Sequence, residues 1–85
     1  MKVNDIVTVV ASTGAEYVGK FRVETPDTFV IGEPHIVTPV GESIQFMPTV
    51  AMTGEPSIGE VTFQKGGVIL VVRTAKEVAA EYTRS

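Results

Sequence analysis

The sequence predicts an all-β protein, a small and strongly bent five-stranded antiparallel barrel followed by a short C-terminal α-helix. Three observations indicate this fold class. Short β-branched or alternating segments recur along the chain, and glycine- and proline-containing turns separate them. Gly14 and Gly19 lie five residues apart, as in a hairpin that runs into a sharply bent strand. A helical spacing of apolar residues begins only near the end. We therefore predict one domain over residues 1–85, with the barrel at 1–73 and the helix at 74–85.

The first two strands are predicted at Ile6–Ala11, which is rich in β-branched residues, and at Glu16–Glu24, where apolar and charged residues alternate. Gly14 supplies the positive φ of the tight turn that joins them. Gly19 allows the second strand to bend sharply, or another backbone to approach closely. Residues 25–27 contain proline and aspartate and are predicted to form the next turn.

The second half of the barrel is punctuated by proline and glycine. A strand is predicted at residues 29–31, with residues 36–37 as a candidate continuation. Ser43–Met47 alternates again, and the proline after it places its end at an edge or a bulge. Residues 54–59 form a loop by composition. The last hairpin is predicted to join residues 61–64 to residues 68–72, an apolar run that we expect to be covered on both faces.

The C-terminal segment has the pattern of an amphipathic helix. Thr74 and Glu77 fit a capping box, in which the hydroxyl and the carboxylate bond amides at the helix start. One face of this helix carries Ala75, Val78, Ala79 and Tyr82. A helix this short is marginal alone, so we expect it to dock on the barrel or on a neighbouring subunit.

Size and composition favour a soluble protein that associates with itself. The chain has 85 residues and no cysteine, so neither disulfides nor thiolate metal sites can supplement a small core. Association with further copies would bury more apolar surface. The net charge of −3 counts against nonspecific coating of nucleic acid, although a ring can still gather a few cations around a pore. We expect no membrane partner and a cytoplasmic location.

Few residues could carry chemistry. His35 is the single histidine, and we interpret it as a solvated or hydrogen-bonded loop residue. Gly66 and Gly67 lead into a strand, so no helix N-terminus follows them to bind a phosphate. Neither an H-E-x-x-H nor a G-x-S-x-G pattern occurs. We predict no enzymatic activity, no cofactor and no metal site.

Gly14, Gly19 and Phe21, together with Lys65-Gly66 downstream, resemble the two-part signature of the Sm-like (Lsm) proteins, small barrels that form rings and bind RNA. In that family the loop between strands two and three carries Asp and then Asn, which hold the loop and bond a base. The last hairpin turn of the family carries Arg-Gly. The long segment 33–59 and the missing N-terminal helix depart from the family pattern. The chain is similar to divergent members from phage genomes, those of marine phages (cyanophages) in particular, which would place it in a host cell.

The resemblance implies a homo-oligomeric ring that binds single-stranded nucleic acid, with RNA as the favoured ligand. It also implies a role in RNA processing or metabolism. The implied nucleic-acid-binding residues are Asp27, Thr28, Phe29, Lys65 and Gly66. Phe29 would stack on a base, Thr28 and Asp27 would bond its edge, and Lys65 would meet phosphate or base. Asp27 does not occupy the family's Asp position, and Lys65 lacks the planar fork of arginine. Core packing for Phe29 and a solvated turn for Lys65 remain the alternatives.

Two other functions fit the sequence. A structural or adaptor barrel of a phage particle or protein complex, with no nucleic-acid binding, is favoured by the net acidity and by the absence of the Asp/Asn pair. A monomeric SH3-like adaptor needs clustered aromatic residues for its peptide groove, and four Phe, two Tyr and no Trp supply few.

Overall fold

Six strands and one helix follow one another in the computed structural model, which describes residues 1–48, 50–51, 53–54 and 59–84. Residues 55–58 of the predicted loop, and Ser85 at the end of the predicted helix, lie outside this part of the chain. The strands are β1 (Ile6–Ala11), β2 (Glu16–Glu24), β3 (Thr28–Val40), β4 (Ser43–Met47), β5 (Glu60–Gln64) and β6 (Val68–Arg73). A 3₁₀ turn at Lys65–Gly67 joins β5 to β6, and α1 (Lys76–Arg84) ends the chain.

The strands form one antiparallel sheet in the order β4-β3-β2-β1-β6, and β5 pairs with β3 beside β4. Each predicted strand segment corresponds to a strand, but the count of five for the sheet is wrong by one. β4 and β5 are both strands of the sheet and pair with different halves of the long β3. The predicted last hairpin is also wrong. Within the described residues β5 pairs with β3 and β6 pairs with β1, and no ladder between β5 and β6 closes the sheet.

The two glycines have the conformations that the sequence predicts. Gly14 has a φ of +90° in the turn between β1 and β2, where a side chain would be strained. Gly19 lies on the buried side of β2, and a Cβ atom there would come within 2.5 Å of the Ile31 side chain and 2.9 Å of the Gly32 carbonyl oxygen. The absence of a side chain at Gly19 therefore lets β3 cross β2 closely.

β3 is one continuous strand of 13 residues, longer than the predicted segment 29–31 with its candidate continuation. Pro34 is fully buried, and Glu33 before it has a left-handed φ of +48°. The register with β2 shifts at this point, from Val18 opposite His35 to Lys20 opposite Gly32. A bulge of this kind lets the ladder resume beyond a proline, which has no amide hydrogen to donate.

The core consists of Val7 and Val9 from β1, Phe21 from β2 and Ile31 from β3. Each of these apolar side chains contributes on the order of 1.5–3 kcal/mol by leaving water. The residues that pack around this cluster while partly buried are Tyr17, Phe29, Phe63, Val68 and Val71. Phe29 lies near the start of β3 and Phe63 near the end of β5. The core therefore packs against residues beside the β2–β3 turn and beside the 3₁₀ turn.

β6 differs from its prediction in exposure. It was expected to be covered on both faces, yet Ile69, Leu70 and Val72 are 64%, 43% and 46% exposed. Among the described strands β6 pairs with β1 alone, so its outer edge is open. Only Val68 and Val71 contact the core. The apolar run thus forms an uncovered sheet edge.

α1 docks through the predicted face, although its start differs from the prediction. Tyr82 is buried and Val78 and Ala79 are half-buried, whereas Ala75 is exposed. The Ala79 amide donates to the Ala75 carbonyl at 2.8 Å, which makes Ala75 the N-cap, so α1 begins at Lys76, two residues beyond Thr74. The Thr74 hydroxyl lies 2.8 Å from that of Thr8 in β1, so it ties the helix start to the sheet.

Candidate nucleic-acid interface

The turn between β2 and β3 and the 3₁₀ turn after β5 meet at one end of the sheet. Thr28 pairs with Gln64, and Phe29 pairs with Phe63, at the start of the β3–β5 ladder. One step further, the Lys65 amide donates to the Asp27 carbonyl oxygen at 2.9 Å. The antiparallel pairing therefore brings together the two chain segments that contain all five predicted site residues.

Thr25 organises the β2–β3 turn. Its hydroxyl oxygen accepts the Thr28 amide at 3.0 Å, and its own amide donates to the Thr28 carbonyl at 2.9 Å. The two threonine hydroxyls lie 2.6 Å apart. These bonds satisfy the turn backbone with a side chain, as serine and threonine commonly do. Thr28 is thus engaged within the turn, while Asp27 projects from it and is exposed.

Lys65 contacts two residues of the neighbouring strands at once. Its ammonium Nζ lies 2.7 Å from Glu24 Oε2 and 5.0 Å from the centroid of the Phe29 ring. The side chain keeps 31% of its exposure, so the ion pair with Glu24 is worth about 0–1 kcal/mol, and the cation–π contact about 0.5–1 kcal/mol. Both contacts are weak enough for a ligand to replace them.

Phe29 packs against the core, as one of the two alternatives expects, whereas its stacking on a base stays a prediction. It packs against the core cluster and is only partly buried, and the Lys65 ammonium lies over its ring. A nucleotide base can stack on this ring only after the lysine has moved away. Gly66 is exposed and continues the turn, with no atom near enough to crowd a side chain there.

Sequence reasoning missed Glu24 as a partner of Lys65. The alternation in β2 places Glu24 on the same face as Lys20 and Arg22, which suggested ion pairs along that face. In the structure Lys20 pairs with Glu33 at 3.2 Å, and Arg22 Nε lies 3.6 Å from Glu60. Each partner comes from another strand, and no local spacing in the sequence could have identified it.

A second polar cluster lies where α1 crosses the bulge in β3. The Tyr82 hydroxyl donates to the Glu33 carbonyl oxygen at 2.8 Å, and His35 Nδ1 lies 2.9 Å from the same oxygen. The His35 and Tyr82 rings meet edge to face at 5.1 Å. Burial, with a smaller contribution from the Glu33 carboxylate, raises the pKa of Tyr82 to about 12. His35 is therefore hydrogen-bonded, one of the two states expected for it, but it lies in β3 and not in the predicted loop. The cluster anchors the helix.

Neither a cluster of metal-ligating side chains nor a membrane-spanning helix occurs in the part of the chain that the structure describes. There, no three side chains of the His, Cys, Asp and Glu types come together in a way that could hold a metal ion. No helix there has the length and apolarity to cross a membrane. A comparison with models of protein families found no match, and neither did a search of curated proteins.

Proposed function

We propose that this protein is a homo-oligomeric ring of Sm-like barrels that binds single-stranded nucleic acid and catalyses no reaction. RNA is the favoured nucleic acid in this proposal. The observation that carries the proposal is the meeting of Phe29 and Lys65, an aromatic ring and a cation from two distant segments, beside an exposed turn. Aromatic rings and cations are the groups that sequence-tolerant single-strand binding uses. A role in RNA processing or metabolism would follow.

The strand pairings support the barrel. The path β6-β1-β2-β3-β5 contains five strands, and its two end strands are consecutive in the chain across the three-residue turn Lys65–Gly67. A sheet whose first and last strands are joined so closely must curl strongly. In this interpretation β4 extends the β3 hairpin beyond the barrel.

The ring is supported by the two open edges. β6 presents three exposed apolar side chains beside an unpaired edge, and β5 pairs with β3 alone among the described strands. Long apolar edges invite pairing with another chain. Pairing of β6 with β5 of the next copy would cover both edges and repeat the Phe29–Lys65 site around one face of the ring.

Binding would begin with displacement of Lys65 from the Phe29 ring. A base would then stack on Phe29, a contribution of about 1–3 kcal/mol per base. The ammonium would move from Glu24 to a phosphate or to the base edge, while Thr28 and Asp27 would bond that edge. Repetition around a ring multiplies a weak single contact.

A structural or adaptor module without nucleic-acid binding is the second candidate. Two observations favour it: Glu24 already neutralises Lys65, and the chain has a net charge of −3. Such a module would form a stable oligomer that ignores nucleic acid and binds another protein.

Native mass spectrometry with and without a short uridine-rich RNA separates these functions. We expect a closed oligomer that gains one RNA per ring. Lys65→Glu and Phe29→Leu should weaken RNA binding at unchanged ring mass, the latter because leucine keeps apolar packing but cannot stack. Lys76→Glu, an equal charge change on α1, is the matched control. A ring that does not bind RNA would favour the structural module. A monomer would exclude the proposed ring.

A further inference from the structure

A groove runs between α1 and the β3–β4 hairpin. Ile44 of β4 and Val78 of α1 lie at its centre. They line one cavity of about 480 Å³ and a second cavity of about 380 Å³. Pro39 pairs directly with Ile44, and Val37, two positions earlier on β3, pairs with Phe46. Val37 and Pro39 therefore lie on the same face of the hairpin as Ile44. We call this space the helix–hairpin groove.

The groove has an apolar floor and an acidic rim. Val18, Val37, Ile44 and Val78 supply apolar surface, and Ile44 is 42% exposed. Glu16, Glu42, Glu77 and Glu81 are also among its lining residues, which include no lysine, arginine or histidine within the described chain. Arg84 lies 2.5 Å from Glu81 and balances one of these charges. This combination of apolar floor and acidic rim is complementary to a ligand that is both apolar and cationic.

β4 adds an open backbone edge to this groove. In the described residues β4 pairs with β3 alone, so the groups on its other side have no strand partner. An extended peptide can pair with such an edge and alternate its side chains between the two faces of the sheet. Every second side chain would then point toward α1 and the floor of the groove.

We propose that the helix–hairpin groove binds an extended segment of a partner protein in which apolar and basic residues occur together. Main-chain hydrogen bonds to β4 align the segment, its apolar side chains contact Ile44 and Val78, and its lysines or arginines meet the glutamates of the rim. Electrostatic complementarity of this kind speeds encounter and excludes acidic segments. This surface is separate from the nucleic-acid site, since Phe29 and Val37 are eight positions, or up to ~26 Å, apart on β3.

Fluorescence anisotropy tests this proposal with a short labelled peptide in which valine and lysine take turns at every second position, with threonine at the positions between them, so that both residue types face the groove. We expect saturable binding that weakens with salt, and no binding of the peptides with glutamate for lysine or serine for valine. N-methylation of the backbone along one edge should abolish binding, because it removes the amides that pair with β4. Retention of binding by both of two peptides, each N-methylated along a different edge, would overturn the extended pairing.

Two pairs of variants locate the peptide. Glu77→Gln should weaken binding about threefold to fivefold, the scale of one exposed ion pair, while Glu60→Gln on β5 should leave it unchanged. Ile44→Ser should weaken binding, while Val40→Ser should not, because Val40 pairs with Ser43 and faces away from α1. If the two variants of either pair changed binding equally, the peptide would be held by the net charge of the protein or by apolar surface outside the groove. That result would overturn the proposal. Circular dichroism confirms the folding of each variant.

Discussion

The position of Lys65 determines how the proposed interface can work. Its ammonium contacts both the Glu24 carboxylate and the Phe29 ring. The same cation therefore covers the ring on which a base would stack, and it is paired with a carboxylate in place of a phosphate. A nucleic acid must therefore compete with an intramolecular partner. Since the pair with Glu24 is partly exposed, the competition costs about 1 kcal/mol or less.

Removal of the Glu24 charge should release Lys65. If Lys65 contacts RNA, Glu24→Gln should raise RNA affinity by up to about fivefold, the equivalent of one exposed ion pair. Anisotropy of a labelled uridine-rich RNA at fixed ionic strength measures this change. Glu60→Gln removes the same charge from the pair with Arg22 and serves as control. An equal gain in both variants would attribute the effect to net charge, and a loss in Glu24→Gln would mean that Glu24 orients Lys65 for binding.

Glu33 carries backbone strain at the bulge of β3. Its φ of +48° is unfavourable for a residue with a Cβ atom, at a cost of roughly 1–2 kcal/mol. Glu33→Gly and Glu33→Ala both lose the ion pair with Lys20, so they differ only in the backbone. Glycine also gains freedom in the unfolded chain, which offsets part of its advantage.

We therefore expect Glu33→Gly to be more stable than Glu33→Ala by up to about 1 kcal/mol, measured by urea unfolding. Greater stability of the alanine variant would show that the positive φ is not retained in solution.

Individual residues could be predicted where the requirement is local. Gly14 and Gly19 were identified correctly, because a tight turn and a close crossing leave a pattern in adjacent residues. The structure brings the segments with the five candidate site residues together, while their role in binding stays a prediction. The Glu24–Lys65 pair spans 41 positions, and it depends on the pairing of β5 with β3, which the sequence did not indicate.

At the scale of elements, strands and helix were located better than their pairings. The prolines after residue 31 predict an interruption of the third strand, yet β3 continues through Pro34 because the bulge at Glu33 absorbs the change of register. Likewise, Lys65-Gly66-Gly67 suggested a hairpin turn, but a 3₁₀ turn sends β6 to β1. Local turn signals give the place where the chain changes direction, whereas the partner strand is selected by the core.

The docking of α1 depends on Tyr82, which is the buried residue of the helix. Its hydroxyl donates to the Glu33 carbonyl, which also has His35 Nδ1 beside it. Tyr82→Phe should lower the free energy of unfolding by about 1 kcal/mol at pH 7, the usual value for one hydrogen bond. Tyr82→Ala should lower it by about 3 kcal/mol or more, because a large cavity is added. Equal stability of the alanine variant and the wild type would mean that the helix does not dock.

The raised pKa of Tyr82 also predicts a specific loss of stability in alkali. The folded state favours the neutral phenol, whose pKa rises from 10.0 to about 12, so its contribution is complete below pH 10 and is lost as the pH rises toward 12. Between these values the wild type should lose about 2 kcal/mol more than Tyr82→Phe, which shares all other titrations. In Tyr17→Phe, where Tyr82 is the remaining tyrosine, absorbance at 295 nm should show ionisation well above pH 10. A midpoint near 10 would contradict the buried phenol.

At the scale of the whole molecule, the exposed edge of β6 is hard to reconcile with an isolated monomer. Ile69, Leu70 and Val72 lie together beside unpaired backbone groups, and such an edge is a template for another strand. An 85-residue chain without cysteine has few other ways to gain stability. The expectation that this run is covered on both faces is wrong for the single chain, and the proposed ring would cover its open edge between chains.

Substitution of Ile69 by lysine tests this argument. Because Ile69 is 64% exposed in the single chain, Ile69→Lys should change the folding of the monomer by no more than about 0.5 kcal/mol. In a ring the same lysine would be buried at every interface, so the assembly should dissociate into folded monomers, seen by light scattering and native mass spectrometry. Val40→Lys, at an apolar position 53% exposed near the β3–β4 turn, should keep the oligomer mass. An unchanged oligomer in Ile69→Lys would exclude β6 from the interface, and dissociation by both variants would place the interface across the β3–β4 hairpin as well.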